Sequence, residues 1–583
     1  MIDMVKVRKE HPEPQFERAE WINLNGQWEF EIDYSKTGKE RAFYSREHLQ
    51  DKIIVPFCPE SELSGVNNKD FMPCVWYRRD FEIPETWANQ EIFLHFGAVD
   101  YESEIYINGE SVKKHRGGSS PFKVNITRCL RKGKNSLCVC AEDDSRDDSH
   151  GRGKQSDRFL SYGCCYTRVT GIWQTVWLEC VPQTHIENVR FYPNAEKCSV
   201  GISIKAKGKG TIAVAASYKE REMGRCEVPI TASEEVFLEL PLKEKHVWTI
   251  GDGNLYDVKI CFEEDNVKSY FGLRSLKFDG FKFLLNGKSV FQRLVLDQGY
   301  YPDGIYTAPD DGALQNDILL AQAAGFNGAR LHQKVFEPRF LYHADKLGYL
   351  VWGEYGDWGA DISDTRILPA FIDEWTEIVE RDFNHPCIVG WCPFNETWDH
   401  NGRMQNSEMI RSVYRLTKKL DTTRPCIDVS GFYHTEETDV FDMHDYTQDP
   451  AVFAQTYRSP ENMIQGFDGS HAHKLGGRQQ YRAGLPVFVS EYGGIRWAVD
   501  GKGGWGYGDA PDTEEEFIER YKKLTEILLS AEYIFGFCYT QLYDVEQETN
   551  GIYTYGRKPK FNIETIRAIN EKPAAIEKCK TLQ

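Results

Sequence analysis

The chain has 583 residues, of which 41% are hydrophobic and 27% charged. This balance excludes a disordered protein, and the length predicts three or four packed units rather than one core. The formal net charge of −19 argues against nucleic acid or an anionic membrane surface as a partner, although a local site can still bind an anion.

No apolar window is long enough for a signal peptide or a membrane span, which predicts a cytoplasmic protein. The 16 cysteines form no paired CxxC framework and are interpreted as reduced core thiols.

The first half of the chain is predicted to be entirely β. In residues 1–183, apolar and polar residues alternate without a helical period, and the Asn-Gly pairs within 21–28 and 105–109 are typical of hairpins. Residues 184–277 form a second all-β stretch with a candidate strand at 211–216. The length and turn spacing of this second stretch indicate an immunoglobulin-like sandwich.

From residue 278 to 583, the pattern changes to strands that alternate with helices, which indicates βαβ units. Helices are predicted at 310–324 and 340–347. Eight strands can be counted, so the pattern favours a (β/α)8 TIM barrel. The predicted strands are 291–296, 328–332, 349–354, 387–391, 425–430, 441–444, 485–490 and 534–539.

Two glutamates stand where predicted barrel strands end. Glu396 follows the apolar run 387–391, and Glu491 follows the Val-rich run 485–490. At roughly 30 residues per βα unit, they lie three units apart, near strands 4 and 7. The carboxyl ends of barrel strands share one face, so the two carboxylates face one mouth. Cleavage of a glycosidic bond requires such a pair, one group as acid and the other as nucleophile or base.

Residues 384–396 and 490–494 resemble the two active-site signatures of glycoside hydrolase family 2, which includes β-galactosidases, β-glucuronidases and β-mannosidases. The runs 75–81, 95–101 and 171–178 resemble the N-terminal jelly-roll domain of that family, and 271–274 resembles its lead-in to the barrel. The positions that agree with the first signature are Asn384, His385, Trp391, Asn395 and Glu396, whereas Phe383, Gly390 and Cys392 depart from it.

The resemblance implies roles for several residues. It implies that Glu396 is the general acid/base, that Glu491 is the nucleophile and that Asn395 binds the sugar 2-hydroxyl. A nucleophilic carboxylate stays ionised only with cationic or hydrogen-bonding support, and Arg330, inside an apolar run, is the candidate. Two further matches to the family are Tyr446, as a donor to the nucleophile, and His332, as a substrate contact.

The predicted function is therefore a retaining exo-β-glycosidase that works by double displacement. A carbohydrate-binding relative without catalysis is the alternative. Glu354, Asp357 and His444 could suggest a metal, but this chemistry needs none, and no cofactor is predicted. Only residues 556–583 follow the predicted barrel elements, so we expect loops or a neighbouring subunit to shape the mouth, and a homo-oligomer is expected.

The sequence also bears on whether the terminal sugar is neutral or a uronate. The β-glucuronidases of the family bind the sugar carboxylate with an Asn-x-Lys motif, but here the corresponding residues begin with Glu548 and lack the lysine. A glutamate there would repel a uronate, which favours a neutral galacto-configured sugar, as in a β-galactosidase. A β-hexuronidase remains the alternative, with β-galacturonidase favoured over β-glucuronidase. Its candidate cations are Lys334, Arg339 and Arg496.

Overall fold

The structure is a computed structural model that describes residues 7–397, 399–400, 402–465, 481–499, 501 and 503–578. Part of the N-terminal segment considered above, residues 1–6, lies outside these ranges, as do the last five residues of the chain. Among the described residues, no helix combines the length and the apolar character that crossing a membrane would need.

The N-terminal domain is a β-sandwich whose apolar side chains point between two main sheets. One sheet has the order β3-β2-β4-β10-β7-β8, the other has the order β1-β12-β5-β9, and β6 pairs with β11. The buried core includes Trp28, Phe30, Leu94 and Leu178. The strands are β1 (Trp21–Asn23), β2 (Gly26–Ile32), β3 (Asp51–Val55), β4 (Cys74–Glu82), β5 (Glu91–Phe96), β6 (Val99–Asp100), β7 (Glu102–Ile107), β8 (Glu110–Arg116), β9 (Phe122–Asn125), β10 (Lys134–Glu142), β11 (Gly171–Ile172) and β12 (Val176–Val181).

The two Asn-Gly pairs of this domain have different roles. Asn108 and Gly109 have φ of 53° and 84° and join β7 to β8 in the predicted hairpin, because this turn type needs positive φ at both central residues. The hairpin predicted at Asn25 and Gly26 is wrong. There the chain passes from β1 in one sheet to β2 in the other, and the Asn25 side chain bonds Thr175 and the Val176 amide instead of closing a turn.

The middle domain is a seven-stranded antiparallel sandwich. Its two sheets have the orders β13-β14-β17 and β16-β15-β18-β19. Alternate residues of β15 are buried, as expected for a strand with one face on a core. The immunoglobulin-like prediction is thereby confirmed. The strands are β13 (His185–Asn194), β14 (Ser199–Lys207), β15 (Gly210–Tyr218), β16 (Arg221–Ile230), β17 (Glu234–Pro241), β18 (Leu255–Phe262) and β19 (Asp265–Gly272).

A small antiparallel sheet leads into the barrel. It consists of β20 (Leu276–Asp279), β21 (Lys282–Leu285) and β22 (Lys288–Ser289), and its Phe283 ring stacks on Phe535. The barrel strands that follow are fully parallel, with the order β26-β25-β24-β23-β29-β28-β27. They are β23 (Gln292–Asp297), β24 (Gly328–Leu331), β25 (Leu350–Glu354), β26 (Ile388–Cys392), β27 (Phe441–Asp445), β28 (Val487–Gly493) and β29 (Ile534–Thr540).

The predicted fifth strand, 425–430, is not a regular strand. It runs beside β26 and forms only isolated parallel bridges, Trp391 with Cys426 and Asn395 with Ser430. The physical reason lies in its amides, because the N–H groups of Cys426 and Asp428 donate to side chains rather than to a neighbouring strand. The fold class is nevertheless confirmed, with this segment in the fifth position.

The described helices of the barrel follow the predicted pattern of amphipathic segments. The first begins after Asp310, whose side chain accepts a hydrogen bond from the Ala313 amide, and the following Gly325 has φ of 83°. They are α1 (Asp311–Ala323), α2 (Pro338–Leu347), α3 (Leu368–Asp382), α4 (Ser407–Leu420), α5 (Pro450–Thr456), α6 (Pro460–Gln465), α7 (Glu514–Ser530), α8 (Ile563–Asn570) and α9 (Ala575–Lys578).

Two residues of the first signature bind the middle domain to the barrel. Asn384 donates to the carbonyl of Val189 and accepts from the amide of Phe191, both at 2.8 Å. His385 contacts Asp345 of α2 at 2.6 Å, and Tyr270 of β19 donates to the same carboxylate. These residues therefore fix the start of β26 against the sandwich.

Gly390, which departs from the family signature, contacts an aromatic ring. A Cβ added at Gly390 would lie 2.2 Å from a ring atom of Trp352, which is fully buried and donates to Gln292 at 2.8 Å. The departure is thus a packing adjustment inside the barrel.

We expect Gly390→Ala to lower the free energy of unfolding by about 1–3 kcal/mol, because the ring cannot move away in a filled barrel. Chemical denaturation measures this change. Gly312→Ala in the first turn of α1, where the nearest atom lies 3.1 Å away, should change stability by less than about 1 kcal/mol. Equal effects of the two substitutions would contradict the packing argument.

Candidate active site

The guanidinium of Arg330, at the end of β24, joins the ends of three other strands. Its Nη1 donates to Glu491 Oε1 at 3.0 Å and to the carbonyl of Ser490 at 2.8 Å. Its Nη2 donates to Glu354 Oε2 at 2.6 Å and to Asn395 Oδ1 at 3.0 Å. The side chain is fully buried. Arg330 therefore fixes the predicted nucleophile and the predicted sugar-binding amide relative to each other.

Glu491 on β28 is held as a carboxylate. Arg330 contacts one of its oxygens, and the Tyr446 hydroxyl donates to the other. Burial alone would raise the pKa of Glu491, but the positive charges of His444 and Arg330 outweigh burial and lower it below the usual value. Glu491 is therefore ionised at neutral pH.

Glu396 follows β26 with φ of 47°, a backbone conformation uncommon outside glycine, and its amide donates to the Ser430 carbonyl at 2.9 Å. Its carboxylate lies 2.5 Å from Nδ1 of His444, whose Nε2 lies 3.5 Å from Glu491. Burial disfavours a charged imidazole, but the charges of Glu491 and Glu396 raise the pKa of His444. The ring thus lies between the two carboxylates, whose charges favour its protonated form.

The two carboxylates are close together. One oxygen of Glu396 and one oxygen of Glu491 lie within 4.8 Å of each other. Glycosidases that retain configuration place their carboxyl groups about 5–5.5 Å apart, whereas inverting enzymes leave about 6.5–9.5 Å for a water molecule. The spacing here suits direct attack by a carboxylate.

Two further predicted contacts surround this pair. The amide nitrogen of Asn395 is buried and has no hydrogen-bond acceptor in the described structure, so it is available to a ligand. His332 Nδ1 lies 2.9 Å from Glu354 and 3.7 Å from Glu491. Burial, with the charge of Lys154, lowers the pKa of His332 well below its usual value, so the ring is neutral.

The possible metal ligands named from the sequence are engaged by protein groups. Glu354 accepts from Arg330 and from the amide of Gln333. Asp357 accepts from the Gln333 side chain at 2.6 Å and from the amide of Asn395 at 3.0 Å. These two carboxylates therefore orient the residues that surround the pair, and His444 contacts Glu396.

Two of the three cations proposed for a uronate are engaged elsewhere. Lys334 donates to the carbonyls of Gly299 and Tyr306, and burial lowers its pKa to about 7. Arg339 forms two hydrogen bonds with Asp311, at 2.8 and 2.7 Å. In the described residues, neither of the two contacts Glu396 or Glu491. Arg496 is half-buried, and no described side-chain hydrogen bond involves it.

Glu548 is buried, and neutral groups bind both of its oxygens. The Tyr166 hydroxyl donates to one oxygen, and Asn550 donates to the other at 2.9 Å. Burial raises the pKa of Glu548. The repulsion of a uronate expected from Glu548 therefore depends on partners that the sequence did not show.

Tyr166 belongs to a loop that the sequence analysis missed. The loop, residues 143–170, connects β10 to β11 in the N-terminal sandwich and reaches the mouth of the barrel, where it places Lys154 near the carboxylates. The glycines at 151 and 153 are the sequence feature that could have indicated this contact, since a Cβ at either position would collide with the backbone of the barrel. This loop shapes one side of the mouth.

The two sandwiches, the barrel and the paired strand-end carboxylates define a glycoside hydrolase architecture. Sequence profiles described as "Glycosyl hydrolases family 2, sugar binding domain", "Glycosyl hydrolases family 2" and "Glycosyl hydrolases family 2, TIM barrel domain" match residues 22–182, 184–274 and 282–572. The chain therefore belongs to glycoside hydrolase family 2.

Similar proteins carry two different activity names. A β-galactosidase of Thermoanaerobacter pseudethanolicus is 27% identical over 399 residues, which cover 65% of this chain and 51% of that protein. A β-glucuronidase of Paenibacillus borealis is 22% identical over 606 residues, covering 94% and 96%. The solved β-glucuronidase of an uncultured Clostridium sp. has a TM-score of 0.78 at 22% identity, covering 96% and 99%, which shows a shared fold. The chain spans 51%, 60% and 49% of the first three curated relatives.

We expect Arg330→Met to lower the free energy of unfolding by about 3–5 kcal/mol, because it leaves two buried carboxylates without their cation. Adding Glu354→Gln should recover part of the loss. Denaturant unfolding of the single and double variants measures both effects. The matched control is Arg339→Met, whose partly exposed ion pair with Asp311 should contribute about 0–1 kcal/mol. A loss no larger than that of the control would contradict the role assigned to Arg330.

Proposed function

We propose that this protein is a retaining exo-β-glycosidase that hydrolyses a terminal β-linked sugar by double displacement. The observation that carries the proposal is the approach of Glu396 and Glu491 to within 4.8 Å, with only Glu491 bound by Arg330 and Tyr446. A supported, ionised carboxylate suits a nucleophile, and the second carboxyl group, beside an imidazole that can carry a proton, suits proton transfer.

In the first step, the Glu491 carboxylate attacks the anomeric carbon and the bond to the leaving oxygen breaks. Glu396 passes the proton that it shares with the adjacent His444 ring to that oxygen, so the aglycone leaves as a neutral alcohol and a covalent glycosyl-enzyme remains. In the second step, Glu396 takes a proton from water, and the hydroxide displaces Glu491 from the same carbon. Two inversions return the sugar with its original configuration.

The surrounding residues support these steps. Arg330 and Tyr446 bind the ionised nucleophile, and their hydrogen bonds to it weaken as its negative charge is lost in forming the covalent bond. Asn395 offers its unpartnered amide to a sugar hydroxyl, in agreement with its expected contact to the 2-hydroxyl. His444 keeps a proton beside Glu396, where the proton can pass between leaving oxygen, carboxylate and water.

Two classes of terminal sugar remain, a neutral galacto-configured residue and a hexuronide. The relatives named above include both a β-galactosidase and β-glucuronidases, so they support either class. The presence of both carboxylates with Arg330 argues against a purely sugar-binding relative. A homo-oligomer also stays a prediction, with a light-scattering mass as its test.

The catalytic roles can be tested with nitrophenyl β-galactoside, β-galacturonide, β-glucuronide and β-mannoside, followed by azide rescue on the best substrate. Glu396→Ala should lose about 10²–10⁴-fold in activity, with the smallest loss on a dinitrophenyl glycoside that needs no acid to leave. Azide should then replace water in the second step and give the β-glycosyl azide. Glu491→Ala should lose turnover, and azide should occupy the vacated face to give the α-glycosyl azide.

Product configuration, read by proton NMR, separates the two roles. Glu519→Ala on the exposed face of α7 serves as the control and should retain activity. Reversed azide products would exchange the roles of the two glutamates. Equal rates in the wild type, Glu396→Ala and Glu491→Ala would refute the proposed function.

The pH dependence follows from the lowered pKa of Glu491. Because the nucleophile acts only when ionised, kcat/KM should be lost only as the pH falls through a pKa below the ordinary value of 4.5. Tyr446→Phe removes a donor to the ionised form, so the acid limb should move to higher pH. Tyr507→Phe, which removes a hydroxyl from the ring stacked on Tyr446, should leave the limb in place. An unmoved limb in Tyr446→Phe would contradict this account.

A further inference from the structure

The loop at residues 143–170 carries Lys154 into the mouth of the barrel by backbone contacts. The amide of Arg152 donates to the carbonyl of Trp358 at 2.8 Å, and the amide of Gly153 donates to the carbonyl of Gly356 at 3.0 Å. Gly153 has φ of 60°, and a Cβ there would lie 2.2 Å from the carbonyl oxygen of Gln333. Only glycine permits this approach, so the position of the following lysine is fixed by the two backbones.

The ammonium of Lys154 lies beside residues already bound to the site. The side chain is buried, at 4% exposure, and its Nζ is 5.5 Å from the ring centre of Trp358 and 5.8 Å from that of Tyr166. Trp358 donates to the carbonyl of Asn395 at 3.0 Å, and Tyr166 donates to Glu548. Lys154 is thus placed between the sugar-binding amide and the position that replaces the family's uronate motif.

This ammonium has no direct partner in the part of the chain that the structure describes. No carboxylate oxygen there lies within 4.0 Å of Nζ, and no acceptor bonds it, whereas neutral donors bind both oxygens of Glu548. Burial alone would lower the pKa of Lys154, but the charges of Glu548 and Glu491 raise it, so the group stays cationic. The ammonium is therefore charged while no described protein acceptor takes its N–H groups, which leaves them available to a ligand anion.

We propose that Lys154 binds a carboxylate carried by the terminal sugar, so that the N-terminal sandwich supplies the specificity-determining cation of the barrel site. The inference rests on the proposed function, since it assigns the terminal sugar as a hexuronide. It also explains how a chain without the lysine of the Asn-x-Lys motif can bind an anionic sugar. A charge-assisted hydrogen bond inside a partly dry site distinguishes a carboxylate from a hydroxymethyl group.

Binding to the wild-type protein tests the inference without any hydrolysis. Titration calorimetry compares D-galacturonate and D-glucuronate with their uncharged uronamides and with D-galactose and D-glucose. At least one acid should bind about 10–100-fold more tightly than its uronamide, and the preferred acid identifies the configuration. Acids that bind no better than their uronamides would overturn the inference. Acids that bind tightly without any hydrolysis of their β-glycosides would uphold it and refute the proposed function.

Variants then assign the preference to this residue. Lys154→Met should lower kcat/KM on the preferred nitrophenyl hexuronide about 10–100-fold and change kcat/KM on the matching neutral hexoside less than about threefold. Lys154→Arg should restore part of the loss. Lys114→Met, an exposed lysine on β8 of the same sandwich, changes the net charge equally and should leave both substrates unaffected. Equal losses on both substrates, in a variant whose thermal unfolding is unchanged, would overturn the assignment. If Lys154→Met does not fold, the binding comparison on the wild-type protein decides whether the site prefers a carboxylate.

Discussion

The guanidinium of Arg330 is the interaction on which the active face of the barrel depends. A buried cation is stable only if protein groups replace the hydrogen bonds to water that it loses. Four acceptors bind Arg330 in this way. Those acceptors belong to residues at the ends of β25, β26 and β28. Because one planar group binds all of them, the strand ends cannot shift independently. Arg330 therefore helps to set the spacing between the two carboxyl groups proposed for catalysis, since it binds Glu491 directly and Asn395, the neighbour of Glu396.

The parts of the fold and site that could be predicted are those that a short continuous stretch of sequence determines. Glu396, Glu491 and Arg330 each end an apolar strand of a parallel barrel, and strand ends share a face, so their convergence follows from pattern alone. The segment 425–430 has the same apolar pattern, yet on the side away from β26 its amides donate to the side chains of Asp439 and Thr438 instead of to a strand. Such a difference depends on partners distant in the chain, which no local pattern contains.

The site residues that were missed or misplaced share one physical cause. Glu548 was interpreted from its charge, but its effect depends on Tyr166, a residue from another domain. Lys154 lies in an irregular loop, and only the contact of two backbones at Gly153 brings it to the mouth. Conversely, Lys334 and Arg339 have the correct charge and a suitable chain position, but nearer acceptors bind them. Charge in a sequence indicates what a side chain can bind, whereas the fold decides which partner is closest.

The hydrogen bonds of Asn384 bear on how the whole chain unfolds. Both groups of its side chain are satisfied by the backbone of β13, at Val189 and Phe191, while a few residues later the same segment becomes the strand that ends at Glu396. Separating the middle sandwich from the barrel would leave these groups unpaired at the start of β26. Unfolding of either domain therefore breaks these two hydrogen bonds, so a melting temperature of this chain includes a contribution from the contact between the domains.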